Sequence, residues 1–346
     1  MDEPLLSGAR RILIIKPTSL GDIVQSLCAL TAIRNAFPEA HISFLVADIF
    51  ADILVGHPSI DEIVIFPRSL MKRGIAGLVK GMFSMRRSLS SGGFDAALDF
   101  QGLFRSGLCT RFTNAPIRVG FQDAREGATL FYNHRVRADR RSEHAIVRYM
   151  AMAEYCGAGS DMSNLEFGLH PSEEMVSKAR ELLRGSTIAL VPGARWETKK
   201  WPLDNFKAVA RALKARGVKL AVLGSQAERE LGEAICDELG DRDCINLAGR
   251  TTLRELAACL YCCKVVLSND SGPMHISAAL GRPTVSLFGP TSPELAGPWG
   301  WQDFVARAEV NCSGCHQRKC DKMPLPCMNS IHPDRVLDLI DRALSL

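Results

Sequence analysis

Short runs of β-branched and aliphatic residues alternate along this chain with longer stretches whose apolar positions recur at helical spacing. In the first half "RILIIK", "HISFLV", "EIVIF" and "DAALDF" read as strands, and in the second half "TIALV", "VKLAVLG", "CKVVLS" and "PTVSLFG" repeat the arrangement. Segments such as "DNFKAVARALKARG" and "TLRELAACLYC" read as the helices between them. Strands alternating with helices predict parallel sheets covered on both faces, hence two successive open α/β units. The length of 346 residues agrees, being too long for one ordinary core. A polar, proline-started helix in "GLHPSEEMVSKARELLRGS" marks the boundary, giving domains over residues 1–170 and 171–330.

Open parallel sheets bind ligands beyond the carboxyl ends of their strands, so chemistry is expected at residues 16–22, 101–106, 192–200, 224–228 and 268–275. In "KPTSLGDIVQSL" Gly21 permits a close approach of backbone to ligand. Asp22 then stands either as a helix cap, worth about 1 kcal/mol, or as a general base for a hydroxyl. "VPGARWETKKWP" sets Arg195, Lys199 and Lys200 among two tryptophans after a strand. Such cations suit a diphosphate whose charge grows as it departs; a solvated basic loop is the other reading. "LGSQAERE" offers Gly224 for a tight turn and Glu228, which either accepts ribose hydroxyls or complements a helix dipole. "SNDSGPMHISAAL" opens a helix with Asn269, Asp270 and Ser271 as capping residues and Pro273 in its first turn, an end that either attracts phosphate or is simply capped. His275, one turn further, reaches a phosphate or ribose or packs internally. Neither GxGxxG nor GxxxxGK[ST] occurs, so a standard NAD fingerprint and a P-loop are both excluded.

Composition changes this picture little. Hydrophobic residues make up 47% and charged residues 23%, and a net charge of +4 is too small to argue for nucleic acid. Its distribution matters more: residues 63–94 contain no Asp or Glu, while Arg68, Lys72, Arg73, Lys80, Arg86 and Arg87 all fall there. Met71, Ile75, Leu78, Val79, Met82 and Phe83 recur near helical period in the same stretch, which reads equally as core contact or as a basic amphipathic helix on an anionic membrane. No apolar run approaches the roughly 20 residues that span a bilayer, and "MDEPLLSGAR" has neither the charged start nor the apolar core of a secretory signal. A cytoplasmic protein is expected. Cys28, Cys109, Cys156, Cys236, Cys244, Cys259, Cys262 and Cys263 are scattered, as buried free thiols are. Cys312, Cys315, Cys320 and Cys327 cluster as C-x2-C-x4-C-x6-C, open to a structural Zn²⁺, a redox-sensitive loop or a reduced, unliganded one.

Taken together, "ILIIKPTSLGDIVQSLCALTAIRNAFPEAHISFLV", "DAALDFQGLFRSGLCTRF", "EHAIVRYMAMAEYCG", "LVPGARWETKKWPLDNF", "NDSGPMHISAALGRPTVSLFGPTSP" and "CMNSI" resemble glycosyltransferase family 9, the lipopolysaccharide heptosyltransferases. The resemblance implies an α/β fold of the GT-B class: two Rossmann-like, doubly wound domains facing a central cleft, the nucleotide sugar held mainly by the second. A closing helix at 331–346 is expected to pack back toward the first domain. The implied activity is inverting, metal-independent transfer of heptose from ADP-heptose to the anionic inner core of lipopolysaccharide, with peripheral contact at the cytoplasmic face of the inner membrane and no cofactor. Asp22 matches the base and Lys199 the phosphate-binding lysine. Ser19, Gly21, Arg195, Asp270, Ser271, Gly272, Pro273 and His275 fall to the nucleotide sugar, Glu228 to its ribose, and Thr251 to the loop beside adenine. Arg86, Arg87, Gln101 and Arg105, with Arg111 and Arg118 nearby, are expected to meet the acceptor. A UDP- or GDP-hexose transferase, a nucleotide-sugar epimerase and a non-catalytic nucleotide-sugar-binding module are the competing classes.

Overall fold

The apolar run at residues 12–15 lies fully buried in the middle of a parallel sheet, with paired strands on both sides. The structure, a computed structural model, describes residues 3–159, 161–240, 242–322 and 324–346. It divides into two compact units, Met1–Gly168 and Leu169–Leu346. The first runs β1 (Arg11–Ile15), α1 (Leu20–Ala36), β2 (His41–Ala47), β3 (Glu62–Phe66), α2 (Arg68–Met71), α3 (Gly74–Ser90), β4 (Ala96–Asp99), α4 (Phe104–Phe112), β5 (Ile117–Phe121), β6 (His134–Val136) and α5 (Ala145–Tyr155). Its six strands lie in the order β3-β2-β1-β4-β5-β6.

The second unit begins with α6 (Glu173–Leu183), β7 (Ile188–Val191), α7 (Leu203–Ala215), β8 (Leu220–Val222), α8 (Arg229–Leu239), β9 (Cys244–Asn246) and α9 (Leu253–Cys262). It continues through β10 (Val265–Asn269), α10 (Gly272–Ala279), β11 (Thr284–Phe288), α11 (Pro293–Ala296), β12 (Val305–Arg307), α12 (Pro326–Asn329) and α13 (Pro333–Leu344). The sheet order is β12-β11-β10-β7-β8-β9. Counted from its own first strand, each sheet reads 3-2-1-4-5-6 with every pairing parallel, the doubly wound order. The order reverses between β1 and β4 in one unit and between β7 and β10 in the other. Those two crevices are where such sheets receive ligands.

Helix α1 is apolar nearly all round because α5 packs on it and it is buried along most of its length. Helix α3 behaves otherwise. Of α3 only Gly77, Gly81, Met85 and Leu89 are buried; in the apolar stripe read from the sequence Met71 packs against the core, while Ile75, Leu78, Val79 and Phe83 stay exposed. Helix α13 buries Val336, Leu337, Leu339, Ile340 and Ala343 in the core of the second unit, against α7 and strands β10, β11 and β12. Its apolar face is therefore spent inside its own unit.

The scattered cysteines also need one correction. Cys236 and Cys244 are bonded to each other, because the turn from α8 into β9 brings their Cα atoms to 5.1 Å, within bridging range. The other six of that set are free thiols. Among the described residues no helix is long and apolar enough to cross a membrane.

Candidate active site

In the first unit the chain leaves β1 through Lys16 and enters α1 with Ser19 as its N-cap, so Asp22 is the third residue of the helix rather than the cap itself. Both the Ser19 backbone N–H (3.1 Å) and its hydroxyl (2.6 Å) donate to Asp22 Oδ2. The other oxygen, Oδ1, faces the Tyr149 hydroxyl at 3.5 Å and the Lys16 ammonium at 4.0 Å. One oxygen is thus locked and the other sits among polar groups, yet the side chain keeps 41% of its surface exposed. A carboxylate held this way is both oriented and reachable.

Lys16 is the unexpected member. It is buried, donates to the Phe100 carbonyl at 3.3 Å, and its ammonium lies 5.1 Å from the centre of the Tyr149 ring. Burial lowers its pKa, and the charges of Asp22 and Asp99 oppose that shift. Asp99, at the end of β4, is also buried, and desolvation raises its pKa against the hydrogen bonds it accepts. Those bonds come from the Tyr132 hydroxyl (2.5 Å) and the backbone N–H groups of Gln101 (2.8 Å) and Gly102 (3.1 Å), which shape the loop after β4. Gln101 reaches across the crevice, accepting at Oε1 from the Thr18 N–H at 3.1 Å. Arg105 is exposed on the first turn of α4.

The other acceptor candidates are not gathered here. Arg86 and Arg87 lie in the last turns of α3, just before Ser88, Leu89 and Gly92, which line a cavity together with Arg11 and Glu62 at the starts of β1 and β3. That is the opposite edge of the sheet, because a crossover helix runs antiparallel to its strands. Arg118 donates to the carbonyls of Ala115 and Phe131, and Arg111 to Asn114, so both are occupied locally.

The second unit builds its crevice around the end of β10. The buried Asn269 side chain donates to the Pro192 carbonyl (2.7 Å) and accepts from the Trp201 N–H (3.1 Å), tying down both ends of the loop after β7. Within that loop the Lys199 ammonium donates to Asp270 Oδ2 at 2.6 Å and lies 4.6 Å from the Trp196 ring centre. The Thr291 hydroxyl donates to the same Asp270 oxygen at 2.6 Å. Asp270 therefore positions Lys199. Ser271 is the N-cap of α10, Gly272 and Pro273 form its first turn, and His275 is buried within it.

Glu228 lies against the backbone of this loop. A Cβ on Gly193 would come within 1.9 Å of Glu228 Oε1, so only glycine lets the carboxylate settle there. Its Oε2 accepts from the Ser225 N–H at 2.5 Å. Gly249 N–H donates to the Gly224 carbonyl (2.9 Å), holding the loop that leads to Thr251 beside the β8 turn, where Thr252 caps α9. Arg195 is exposed and, with Trp196, Trp201, Lys200 and Arg318, lines a cavity of about 970 Å³.

The cysteine-rich segment packs onto the loop after β11. Gly314 N–H donates to the Gly289 carbonyl (2.9 Å) and the Thr198 hydroxyl to the Gln317 carbonyl (2.9 Å). Burial raises the pKa of the Cys327 thiol, with Cys312 and Cys315 adding to the rise. Among the described residues no group of three or more His, Cys, Asp or Glu side chains is placed to hold a metal, so the structural Zn²⁺ reading of Cys312, Cys315, Cys320 and Cys327 finds no support.

The sequence profile of glycosyltransferase family 9 (heptosyltransferase) matches residues 82–325. The chain belongs to that family. It is 28% identical to lipopolysaccharide heptosyltransferase 2 of Salmonella typhimurium over 93% of this chain and 97% of the relative. The ADP-heptose lipopolysaccharide heptosyltransferase II of E. coli superposes with a TM-score of 0.76 at 26% identity, covering 97% of this chain and 98% of that one. The E. coli heptosyltransferase WaaC, solved with ADP, gives 0.78 at 25% identity over 96% and 99%. The chain is therefore a glycosyltransferase of the heptosyltransferase family with the GT-B fold.

Several residues of the two crevices, Asp99 and Tyr132 among them, were not singled out from the sequence. Lys16 is marked only by its place directly after β1, and Thr291 by its place just after β11. Tyr149 carries no local signal, since 127 residues separate it from Asp22.

Proposed function

We propose that this chain transfers a heptose from ADP-heptose to the inner core of lipopolysaccharide, inverting the anomeric carbon without a metal ion. ADP-heptose and lipopolysaccharide are named for its relatives, and a lipid-borne acceptor puts the reaction at a membrane surface. The observation that carries the reading is the Asp22 carboxylate, locked through one oxygen by Ser19 and still 41% exposed. In the reaction the acceptor hydroxyl gives its proton to Asp22 while its oxygen bonds to the anomeric carbon. The bond from that carbon to the diphosphate breaks on the opposite face, and the electron pair leaves with ADP. A single displacement inverts the centre.

Lys16 favours the ionised form of Asp22 before the proton arrives. The charge growing on the departing diphosphate is met by Lys199, held by Asp270 and Thr291, and by the backbone N–H groups at the start of α10, from Ser271 and Gly272, with Pro273, which has none, fixing the first turn. That distribution supports a metal-free mechanism. His275, Arg195, Glu228 and Thr251 complete the donor site in this reading, with Gly21 leaving room at the helix start. Gln101 and Arg105 meet the acceptor.

Asp22→Asn is the test. With ADP-heptose and truncated lipopolysaccharide, turnover should fall by at least about a hundredfold while calorimetry shows unchanged ADP binding. Full turnover in this variant would sink the base assignment. Mass spectrometry of the lipid product from the unaltered enzyme checks the donor, through a gain of one heptose.

A further inference from the structure

Helix α3 packs through its smallest residues. A Cβ on Gly77 would lie 2.3 Å from the Leu70 carbonyl oxygen, and one on Gly81 would lie 2.6 Å from Met71 Cγ, so both glycines are needed for α2 to close on this side. Met85 and Leu89 continue the buried face. The larger apolar side chains point the other way. Ile75, Val79 and Phe83, spaced four apart on one face, are 83%, 63% and 70% exposed, with Leu78 exposed beside them. A patch of this kind marks an interaction surface.

Charge says what it fits. Lys72, Arg73, Lys80, Arg86 and Arg87 are all exposed and make no ion pair among the described residues. No Asp or Glu lies anywhere in residues 63–94. A soluble phosphorylated glycan would use the cations and leave the apolar stripe without purpose. A second copy of this chain would bring the same cations against themselves. Hydrocarbon beneath a layer of negative charge uses both features.

We propose that α3 docks the enzyme on a bilayer bearing anionic lipid, Ile75, Val79 and Phe83 entering the acyl boundary while the flanking lysines and arginines meet headgroup phosphates. This deepens the reading of a lipid-borne acceptor and rests on it for its purpose. It also gives Arg86 and Arg87, remote from the crevice, a surface to act on.

The test uses the full chain without donor or acceptor, sedimented with phosphatidylcholine vesicles that contain or lack phosphatidylglycerol. Binding should require phosphatidylglycerol and weaken about tenfold at high salt. The triple change Ile75→Ser, Val79→Ser, Phe83→Ser, confined to exposed positions, should reduce it by a further tenfold or so, with turnover on a delipidated acceptor unchanged. Equal binding to neutral vesicles, or unchanged binding by the triple variant, overturns the proposal. So does a dimer in sedimentation velocity that the triple variant dissolves, which would make this face a contact between copies. Vesicle binding alongside failed heptose transfer would leave the docking surface standing and remove the proposed function alone.

Discussion

Asp22 is by position an ordinary first-turn acid, and its distinction comes from the side chains that converge on it. The cap was read at Asp22 from the sequence and lies at Ser19, while Lys16 and Tyr149 come from the strand end and from α5, and no spacing in the sequence links the latter to Asp22. Lys16 yields a pH prediction. Burial holds its pKa below the ordinary 10.5, so between its folded-state value and 10.5 the unfolded chain binds more protons than the folded one. Stability therefore rises with pH across that window. Lys16→Met should lose this increment, so urea unfolding at neutral and alkaline pH should show a flatter profile than the unaltered protein. If Asp22 is the base as proposed, the acidic limb of its kcat/KM profile should also move to higher pH, because that carboxylate has lost a neighbouring cation. Identical slopes in the two proteins would refute the linkage, and an unmoved acidic limb would reduce Lys16 to a packing residue.

Among elements, legibility followed length and burial. The aliphatic runs at β1, β2, β3, β4, β7, β8, β10 and β11 stood out, while β6, β9 and β12 did not. Each of those three is an edge strand of only three residues, too short to show a period. β5 was missed because Arg118 and Gly120 interrupt its apolar pattern. Helix α3 shows the reverse error open to pattern reading, since a clear apolar period there faces solvent and the glycines carry the packing. Helix α13 was expected only through the family resemblance, and the partners seen for it lie in the second unit's core. Ile340 is fully buried there, so Ile340→Ala should cost about 2–5 kcal/mol, read as a lower urea midpoint with an unchanged slope. A cost below about 1 kcal/mol would show that α13 is peripheral to that core.

At the scale of the whole molecule, two units repeat one sheet order and place their polar residues at the strand reversal, the first supplying a carboxylate and the second cations and a helix N-terminus. If Lys199 and α10 carry the leaving-group charge as proposed, prolonged chelation of the purified enzyme should leave turnover and ADP affinity unchanged. A tenfold loss restored by Mg²⁺ would overturn that assignment. The sequence by itself determined the alternation of strands and helices, the division into two units and the polar loops that follow the strands, because periodicity, capping and the position after a strand are local properties of the chain. Only the tertiary structure decided the partners: Tyr149 against Asp22, Thr291 and Asp270 around Lys199, Cys236 with Cys244, and the glycine face of α3 turned inward. The first two meetings depend on crossovers that bring distant elements together; the last two depend on how neighbouring elements close on one another.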